Sequence, residues 1–274
     1  MIYRGRVDDD AVVAFALATN DRNDLYWRGT AVPPLFTASL ILSAQHAVTR
    51  TATDMPEIRG AHAGVHGEHD VYFRGPVLPG MALQWEASVL GAKQTRGGVL
   101  IVQRTLVSDE HGSPLVEHLW SNLFIGATID RDVGAEKADH SFPEGARTRP
   151  IGRQSVPVDR DQTFRYAGVS SDHIGHAIDD EIARQEGYPG KILQGLCTFA
   201  ICSGAVVELG AGSDPRRLQR LAARFAAPAF PNRELVVDVY DAGPTVDGGR
   251  ALAFEATQDG VTVIKHGRAE LIGD

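Results

Sequence analysis

Apolar residues in this chain fall into two long runs that favour helices and several shorter runs that favour strands. Residues 193–210, LQGLCTFAICSGAVVELG, predict an apolar helix that the glycines at its end would terminate. Residues 33–48, PPLFTASLILSAQHAV, predict a second helix with its prolines at the start, where a helix tolerates them. Four stretches favour strands: 81–92, 99–127, 234–243 and 250–267. Alternation is clearest over residues 99–104.

The same pattern occurs twice along the chain. FALATNDRNDLY (15–26) matches YAGVSSDHIGHA (166–177) in its aromatic, Ala, Ser/Thr and Asp positions, at an offset of 151 residues. FRGPVLPGMALQWE (73–86) matches FAAPAFPNRELVVD (225–238) at an offset of 152 residues. Two matches at nearly one offset indicate that the chain consists of two copies of one unit.

Each copy has a polar segment with an Asp, then a long apolar helix, then antiparallel strands that must wrap this helix. That order is typical of the hotdog arrangement, so the expected fold is α+β, a double hotdog of two tandem units. The expected boundaries are 1–135 for the N-terminal unit, 136–158 for a polar linker, and 159–274 for the C-terminal unit with the active site. The first unit lacks a counterpart of DDEIARQEGY (179–188), which predicts a shortened lid and one working site.

The composition and net charge mainly argue against certain classes of partner and location. A net charge of −8 disfavours a general nucleic-acid or anionic-membrane partner, because phosphate-rich surfaces would repel the protein. No apolar stretch reaches about 18 residues, and the first residues have no signal-peptide core, so the expected location is cytoplasmic, with no membrane contact. One local basic cluster is expected on a solvated surface: Arg216, Arg217, Arg220 and Arg224.

Metal and cofactor motifs are not evident in the sequence. Cys197 and Cys202 lie within the second apolar helix and are expected to be buried free thiols. His62, His66 and His69 lack a partnering Cys or Asp pattern, so no metal site is expected. Neither a GxGxxG nor a Walker pattern occurs, so no nucleotide cofactor is expected.

The segment YAGVSSDHIGHAID (166–179) concentrates side chains that are suited to acid–base chemistry. Asp172 has two compatible interpretations, as a general acid/base or as the N-cap of a following helix. His176 either supplies an imidazole to the same chemistry or lies on the surface, since one residue is a rotation of about 100° on a helix. In the first copy, Asp21 and Tyr26 are expected to be structural.

Several segments resemble the MaoC-like (R)-specific enoyl-CoA hydratases of the double-hotdog type. They are YAGVSSD followed by EGYPGKILQGLCTFA, VYFRGPVLPGMALQWEA and ARFAAPAFPNRELVVDV, which together span most of the chain. The family motif is Tyr-Ala-x-x-Ser-Gly-Asp-x-Asn-Pro-x-His-x-Asp, followed by Ile-x-His-Gly. This sequence matches the motif at Tyr166, Ala167, Ser170, Asp172, Asp179, Ile192 and Gly195.

The chain also departs from the family motif. Ala177 stands where the catalytic His belongs, and His176 comes one residue too early. Gln194 stands for the His that precedes Gly195. Three further positions differ: Ser171 stands for the Gly, Ile174 for the Asn and Gly175 for the Pro.

The resemblance implies roles for the residues of this segment. Asp172 and His176 would carry the acid–base chemistry, and the Gly195 N–H at the helix N-terminus would stabilise negative charge on the thioester oxygen. The expected substrate-binding residues are Ser171, His173 and Gln194.

The function implied by the resemblance is (R)-specific hydration or dehydration of a 2-enoyl or 3-hydroxyacyl thioester carried by CoA or a carrier protein, without a cofactor. The changes at Ala177 and Gln194 leave an alternative open. In it, the protein is a diverged double hotdog that binds an acyl or polyketide-like ligand, or catalyses isomerisation or cyclisation. A homodimer is one expected assembly, although a single double hotdog already contains two paired units.

Overall fold

The computed structural model describes residues 1–61, 64–137 and 139–273, so His62 lies outside the described residues. The first half contains α1 Asp9–Ala18, α2 Asp24–Trp27, α3 Phe36–Thr53, β1 Ile2–Arg6, β2 Ile58–Arg59, β3 Gly64–Phe73, β4 Ala82–Thr95, β5 Gly98–Asp109, β6 Pro114–Ile125, β7 Thr128–Ile129 and β8 Val133–Gly134. The second half contains α4 Gln162–Ser170, α5 Gly175–Ile178, α6 Asp180–Gln185, α7 Gly195–Gly210, β9 Pro150–Val158, β10 Leu218–Phe225, β11 Arg233–Pro244, β12 Arg250–Gln258 and β13 Val261–Leu271.

One eleven-stranded antiparallel sheet runs through both halves. Its order is β1-β4-β5-β6-β3-β10-β13-β12-β11-β9, with β8 beside β4, and β2 pairs separately with β7. The strand order in the second half mirrors that in the first, with β10 in the place of β3 and β9 in the place of β1. This arrangement confirms the predicted double hotdog.

The two long helices fill the concave side of their own half of the sheet. Helix α7 buries most of its residues, including both cysteines, and α3 buries one face. The main apolar core extends through both halves, and a smaller apolar cluster lies within the first half. Phe15 on α1 contacts Tyr166 on α4, with ring centroids 5.9 Å apart. These two residues are equivalent in the repeat, so the halves meet at a local twofold relation.

The predicted linker is shorter than expected, because Pro150–Val158 within residues 136–158 form strand β9, paired with β11. This strand lies at the edge of the sheet, and Val156 and Val158 are its fully buried residues. An edge strand tolerates prolines and polar side chains. Its composition therefore resembles that of a linker. The remaining unit boundaries stay a prediction.

The two halves join where β3 pairs with β10 in antiparallel register. Arg220 on β10 donates two hydrogen bonds to Asp70 on β3, at 2.9 and 2.7 Å, and both side chains are buried. Arg224, four residues after Arg220, forms an ion pair with Glu68, two residues before Asp70. The expectation of a solvated basic cluster is therefore wrong for Arg220, because its partner carboxylate comes from a strand 150 residues away.

Three histidines lie on the inner face of the first half of the sheet. His69 Nε2 lies 2.9 Å from His118 Nδ1, and His118 Nε2 lies 2.9 Å from the Thr37 hydroxyl on α3. His66 stacks on Trp120 with ring centroids 4.0 Å apart. Burial lowers the pKa of both His66 and His118 to about 3 and that of His69 well below its usual range. All three are therefore neutral near pH 7.

Metal and membrane features can be assessed for the described part of the chain. Among residues 1–61, 64–137 and 139–273, no three His, Cys, Asp or Glu side chains are placed to hold a metal ion. None of the helices in these ranges combines the length and apolar character needed to cross a bilayer.

We predict that Asp70→Ala lowers the free energy of unfolding by about 3–5 kcal/mol, because it leaves the Arg220 guanidinium buried without its main partner. Denaturant unfolding would measure the change. The matched control is Asp238→Ala, which removes a cross-strand carboxylate from the exposed Arg153. Its expected cost is below about 1 kcal/mol. Equal losses in the two variants would contradict a special role for the buried pair.

We also predict that the free energy of unfolding falls as the pH drops from about 6.5 toward 3. The buried histidines stay neutral in the native state, whereas the unfolded chain binds protons below about pH 6.5. Between pH 7.5 and pH 5.5, each buried histidine lowers the free energy of unfolding by at most about 1.4 kcal/mol. His66→Phe keeps a ring on Trp120 but removes one titrating group, so its unfolding free energy should depend less on pH. An unchanged pH dependence would refute this assignment.

Candidate active site

Backbone contacts fix Asp172 beside the start of α7. Helix α4 ends at Ser170, and Ser171 then adopts a left-handed conformation with φ of 59°. Such a conformation suits glycine better than other residues, which gives a reason for the family's Gly at this position. The Asp172 N–H donates to Ser170 Oγ at 3.1 Å, and its carbonyl accepts from Gln194 Nε2 at 3.2 Å.

Asp172 is not the N-cap of a helix. The residue that caps α5 is Ile174, whose N–H donates to the Asp172 carboxyl. The capping carboxylate in this segment is Asp179, which accepts from the N–H groups of Glu181 and Ile182 at the start of α6. The Asp172 carboxyl is thus available for a different task.

Burial raises the pKa of the Asp172 carboxyl. The Ile174 N–H opposes this rise, as do the imidazoles of His46, His176 and His173, in that order of strength. A partly buried carboxyl with a raised pKa exchanges protons more readily near neutral pH than an ordinary Asp. Asp172 therefore combines partial burial with the electrostatic influence of three imidazoles.

His176 is oriented by the lid segment that the first half lacks. Its Nδ1 lies 2.7 Å from Glu186 Oε2, just after α6, and its ring packs edge-on against Tyr188. A carboxylate on Nδ1 fixes the ring and leaves Nε2 for other contacts. Ala177, at the family's catalytic His position, is 0% exposed and faces the core.

Sequence reasoning did not find His46, which belongs to α3 of the other half. Helix α3 packs against α4, the helix that leads to Asp172. Among the imidazoles that lower the pKa of Asp172, His46 has the largest effect. No motif relates residues 126 positions apart, so their proximity follows from the duplicated fold.

Gly195 is the first residue of α7, where a backbone N–H has no partner inside the helix. A Cβ at this glycine would lie 3.3 Å from the Phe225 ring, so a larger residue would crowd the site. The preceding Leu193 N–H donates to the Ala229 carbonyl at 2.7 Å. The start of α7 is therefore held firmly while its first N–H groups remain directed outward.

Gln194 mainly positions the site. Its Nε2 donates to the Thr163 carbonyl at 3.0 Å and to the Asp172 carbonyl. Within the described residues Oε1 is buried without a hydrogen-bond partner. A contact from Gln194 to substrate would consequently use this acceptor. Ser171 and His173 are exposed beside Asp172, and their substrate-binding roles stay predictions.

Two buried groups, Tyr166 and Cys197, interact electrostatically with Asp172. Tyr166 is fully buried, and its hydroxyl makes no hydrogen bond of standard geometry among the residues that are described. Cys197 lies close by, and burial raises the pKa of both groups, with Asp172 adding to the effect. Cys197 and Cys202 are free and buried, which confirms the sequence prediction.

In the first half, Asp21 occupies the position equivalent to Asp172, but the start of helix α3 differs from the start of α7. Asp21 accepts from the Asn23 N–H at 3.1 Å and lies against α7, where a Cβ on Gly204 would come within 3.0 Å of its carboxyl. Helix α3, however, follows Pro33 and Pro34, which have no N–H, and the Phe36 N–H donates to the Pro33 carbonyl. This end of α3 offers fewer free donors than that of α7.

Comparison with known proteins shows which sequences and folds this chain is similar to. Residues 142–263 match the MaoC like domain. The chain is 23% identical to probable enoyl-CoA hydratase 2 of Dictyostelium discoideum, over 75% of this chain and 69% of that protein. It is 34% identical to 3-hydroxyacyl-thioester dehydratase Y of Mycobacterium tuberculosis, over 69% of this chain and 64% of that protein, slightly less than two thirds of its length.

A solved structure has the same fold along the whole chain. The MaoC-like dehydratase from Phytophthora capsici superimposes with a TM-score of 0.85 at 21% identity, and the match covers 100% of this chain and 96% of that one. Residues 142–263 of this protein are therefore similar to the MaoC like domain, and the chain as a whole shares its fold with a MaoC-like dehydratase.

Proposed function

We propose that the protein catalyses (R)-specific hydration of a 2-enoyl thioester and the reverse dehydration of a 3-hydroxyacyl thioester. The observation that carries this proposal is the enclosed Asp172 carboxyl, held beside the N-terminus of α7 and flanked by imidazoles. The names of the two relatives, a hydratase and a dehydratase of acyl thioesters, support the same chemistry.

The proposed reaction starts at the C2=C3 double bond of the thioester. The Asp172 carboxylate accepts a proton from water while the water oxygen bonds to C3. Electrons of the double bond move toward the thioester carbonyl, and the Gly195 N–H with the dipole of α7 stabilises the developing oxyanion. An imidazolium then protonates C2, and proton transfer from Asp172 to the imidazole restores the starting state. Dehydration follows the same steps in reverse.

His176 is the proposed imidazole, with Glu186 holding its ring. The contact of Nδ1 with this carboxylate leaves Nε2 as the ring nitrogen that would donate the proton to C2. His46, on α3 of the other half, lowers the pKa of Asp172 and so helps to keep its carboxyl ionised. In the family a single histidine stands at the position of Ala177. In this protein, imidazoles from two segments, His176 and His46, would take its place.

The first test is Asp172→Asn, assayed with a short and a long trans-2-enoyl-CoA by loss of the enoyl absorbance. We expect kcat to fall by about 10²–10⁴ because the acid/base is lost. The melting temperature should hardly change, since the backbone contacts to Ser170 and Gln194 remain and Asn still accepts from Ile174. Asp21→Asn is the matched control and should retain the wild-type rate. If the wild type bound acyl-CoA tightly without turnover, the binding-protein alternative would be favoured.

The second test separates the two imidazoles. His176→Ala should lower kcat by about 10² or more and remove one limb of the pH–rate profile. Glu186→Gln should have a smaller effect in the same direction, because the ring stays in place but loses its negative partner. His46→Ala serves as the comparison. A wild-type rate in His176→Ala together with a large loss in His46→Ala would assign the proton donor to His46 instead.

A further inference from the structure

A small cavity of about 280 Å³ lies in the first half of the molecule, at the start of α3, and we call it the α3 pocket. Pockets that hold small molecules usually begin at about 300 Å³, so its size suits a short ligand. The residues that give the pocket its character come from four segments of the chain: Pro33, Pro34, Thr37, Arg74, Arg216 and Ile272.

The α3 pocket is separate from the candidate active site. Leu218, the first residue of β10, lines the pocket, whereas Phe225, the last residue of that strand, packs beside Gly195. At about 3.3 Å per residue, this eight-residue strand spans more than about 20 Å. Neither Asp172 nor Gly195 lines the α3 pocket. A ligand in it would therefore lie far from the proposed reaction centre.

Rigid segments form the walls of the α3 pocket. Pro33 and Pro34 lie on the side of α3, and Pro215 lies on the side of β10. On the third side, the Arg74 N–H donates to the Leu115 carbonyl at 2.8 Å, which fixes the start of the loop after β3. Proline restricts backbone rotation, so these walls lose little conformational freedom when a ligand binds.

Most of the lining is apolar. Val77 and Val116 are buried, and Val32 is half-buried. Ile272, which also lines the pocket, is 42% exposed although isoleucine is normally buried. An apolar concave wall with an exposed aliphatic side chain favours the apolar part of a ligand.

The charge of the lining favours an anion. Among the described residues, two guanidiniums and no carboxylate line the α3 pocket, although the whole chain has a net charge of −8. Arg74 pairs with Glu117, which also pairs with Arg104, so one carboxylate is shared by two cations. Arg216 pairs with Asp214 at 2.8 Å, and its side chain is 50% exposed. Exposed pairs of this kind are weak and exchange for another anion at little cost.

The start of α3 adds to this positive character but does not supply a second catalytic centre. Thr37 lies in the first turn of α3 and is 2% exposed, and its hydroxyl is engaged with His118. The dipole of α3 places partial positive charge at this end of the helix. Pro33 and Pro34 have no N–H, so this helix start resembles that of α7 less in its donors than in its field. The pocket therefore suits binding of an anion rather than stabilisation of an oxyanion during a reaction.

We propose that the α3 pocket binds a small monocarboxylic acid with a short apolar chain. Arg74 and Arg216 hold the carboxylate, since the planar guanidinium matches a carboxylate well, and the chain lies against the prolines, the valines and Ile272. The volume excludes long lipids, and the apolar walls disfavour acids without an apolar chain. This site goes beyond the proposed hydration reaction and does not depend on it.

The binding test titrates the intact protein with hexanoate, hexan-1-ol and acetate in isothermal titration calorimetry. The wild type should bind hexanoate about tenfold or more tightly than the alcohol, which lacks the charge, and than acetate, which lacks the chain. Arg74→Gln should weaken hexanoate binding by about tenfold. Ile272→Asp should do the same by placing a negative charge at an exposed position, where a change of fold is not expected.

Arg147→Gln is the matched control for these variants. Arg147 also pairs with a carboxylate, Glu255 at 2.7 Å, and lies 4.2 Å from the centre of the Phe142 ring elsewhere on the surface. This variant should bind hexanoate like the wild type. No binding of hexanoate by the wild type, equal binding of hexan-1-ol, or unchanged binding in both Arg74→Gln and Ile272→Asp would overturn the proposal.

A last measurement distinguishes the α3 pocket from the candidate active site. Asp172→Asn should bind hexanoate with wild-type affinity, because the two sites lie at opposite ends of β10. A changed affinity in Asp172→Asn, with no change in Ile272→Asp, would place the acid in the active site and refute the pocket. Binding needs no turnover, so the result stands whether or not the protein hydrates an enoyl thioester.

Discussion

The antiparallel pairing of β3 with β10 is the constraint on which the rest of the molecule depends. It joins two sheets into one, and its register sets how each central helix faces the opposite half. The buried Asp70–Arg220 pair favours this register, because a slip of one residue would separate these two buried charges. Asp172 and His46 come from different halves, so their proximity is a direct result of this pairing.

The sequence contained enough information to predict the fold, but not the pairing of β3 with β10 that joins the two halves. Both long helices and most strands of the outer sheet follow from their apolar patterns, and the repeat showed that there are two units. The hydrophobic pattern did not predict strands β3 and β10. Charged residues cover one face of these strands, and histidines or small residues occupy part of the other face. Their hydrophobic alternation is weak, and what stabilises them is charge pairing across strands that lie far apart in the chain.

The candidate site was predictable to the extent that it is local. Asp172 and Gly195 follow from a short motif, because one backbone segment and one helix start position them. His46 depends on tertiary contact and leaves no local signal. The capping role of Asp179 and the engaged amide of Gln194 depend on hydrogen bonds that composition does not reveal. Propensity suggested Asp172 as a cap, yet the structure gives that duty to a carboxylate seven residues later.

The prolines before α3 and the alanine at position 177 together affect how far either half could act alone. In the first half, Pro33 and Pro34 leave few backbone N–H groups at the start of α3, so Asp21 has no helix end like that of α7 beside it. In the second half, Ala177 has no side chain that could exchange a proton, and the imidazole with the largest effect on the Asp172 pKa belongs to the first half. Cutting the chain between its halves would therefore remove His46 from the surroundings of Asp172.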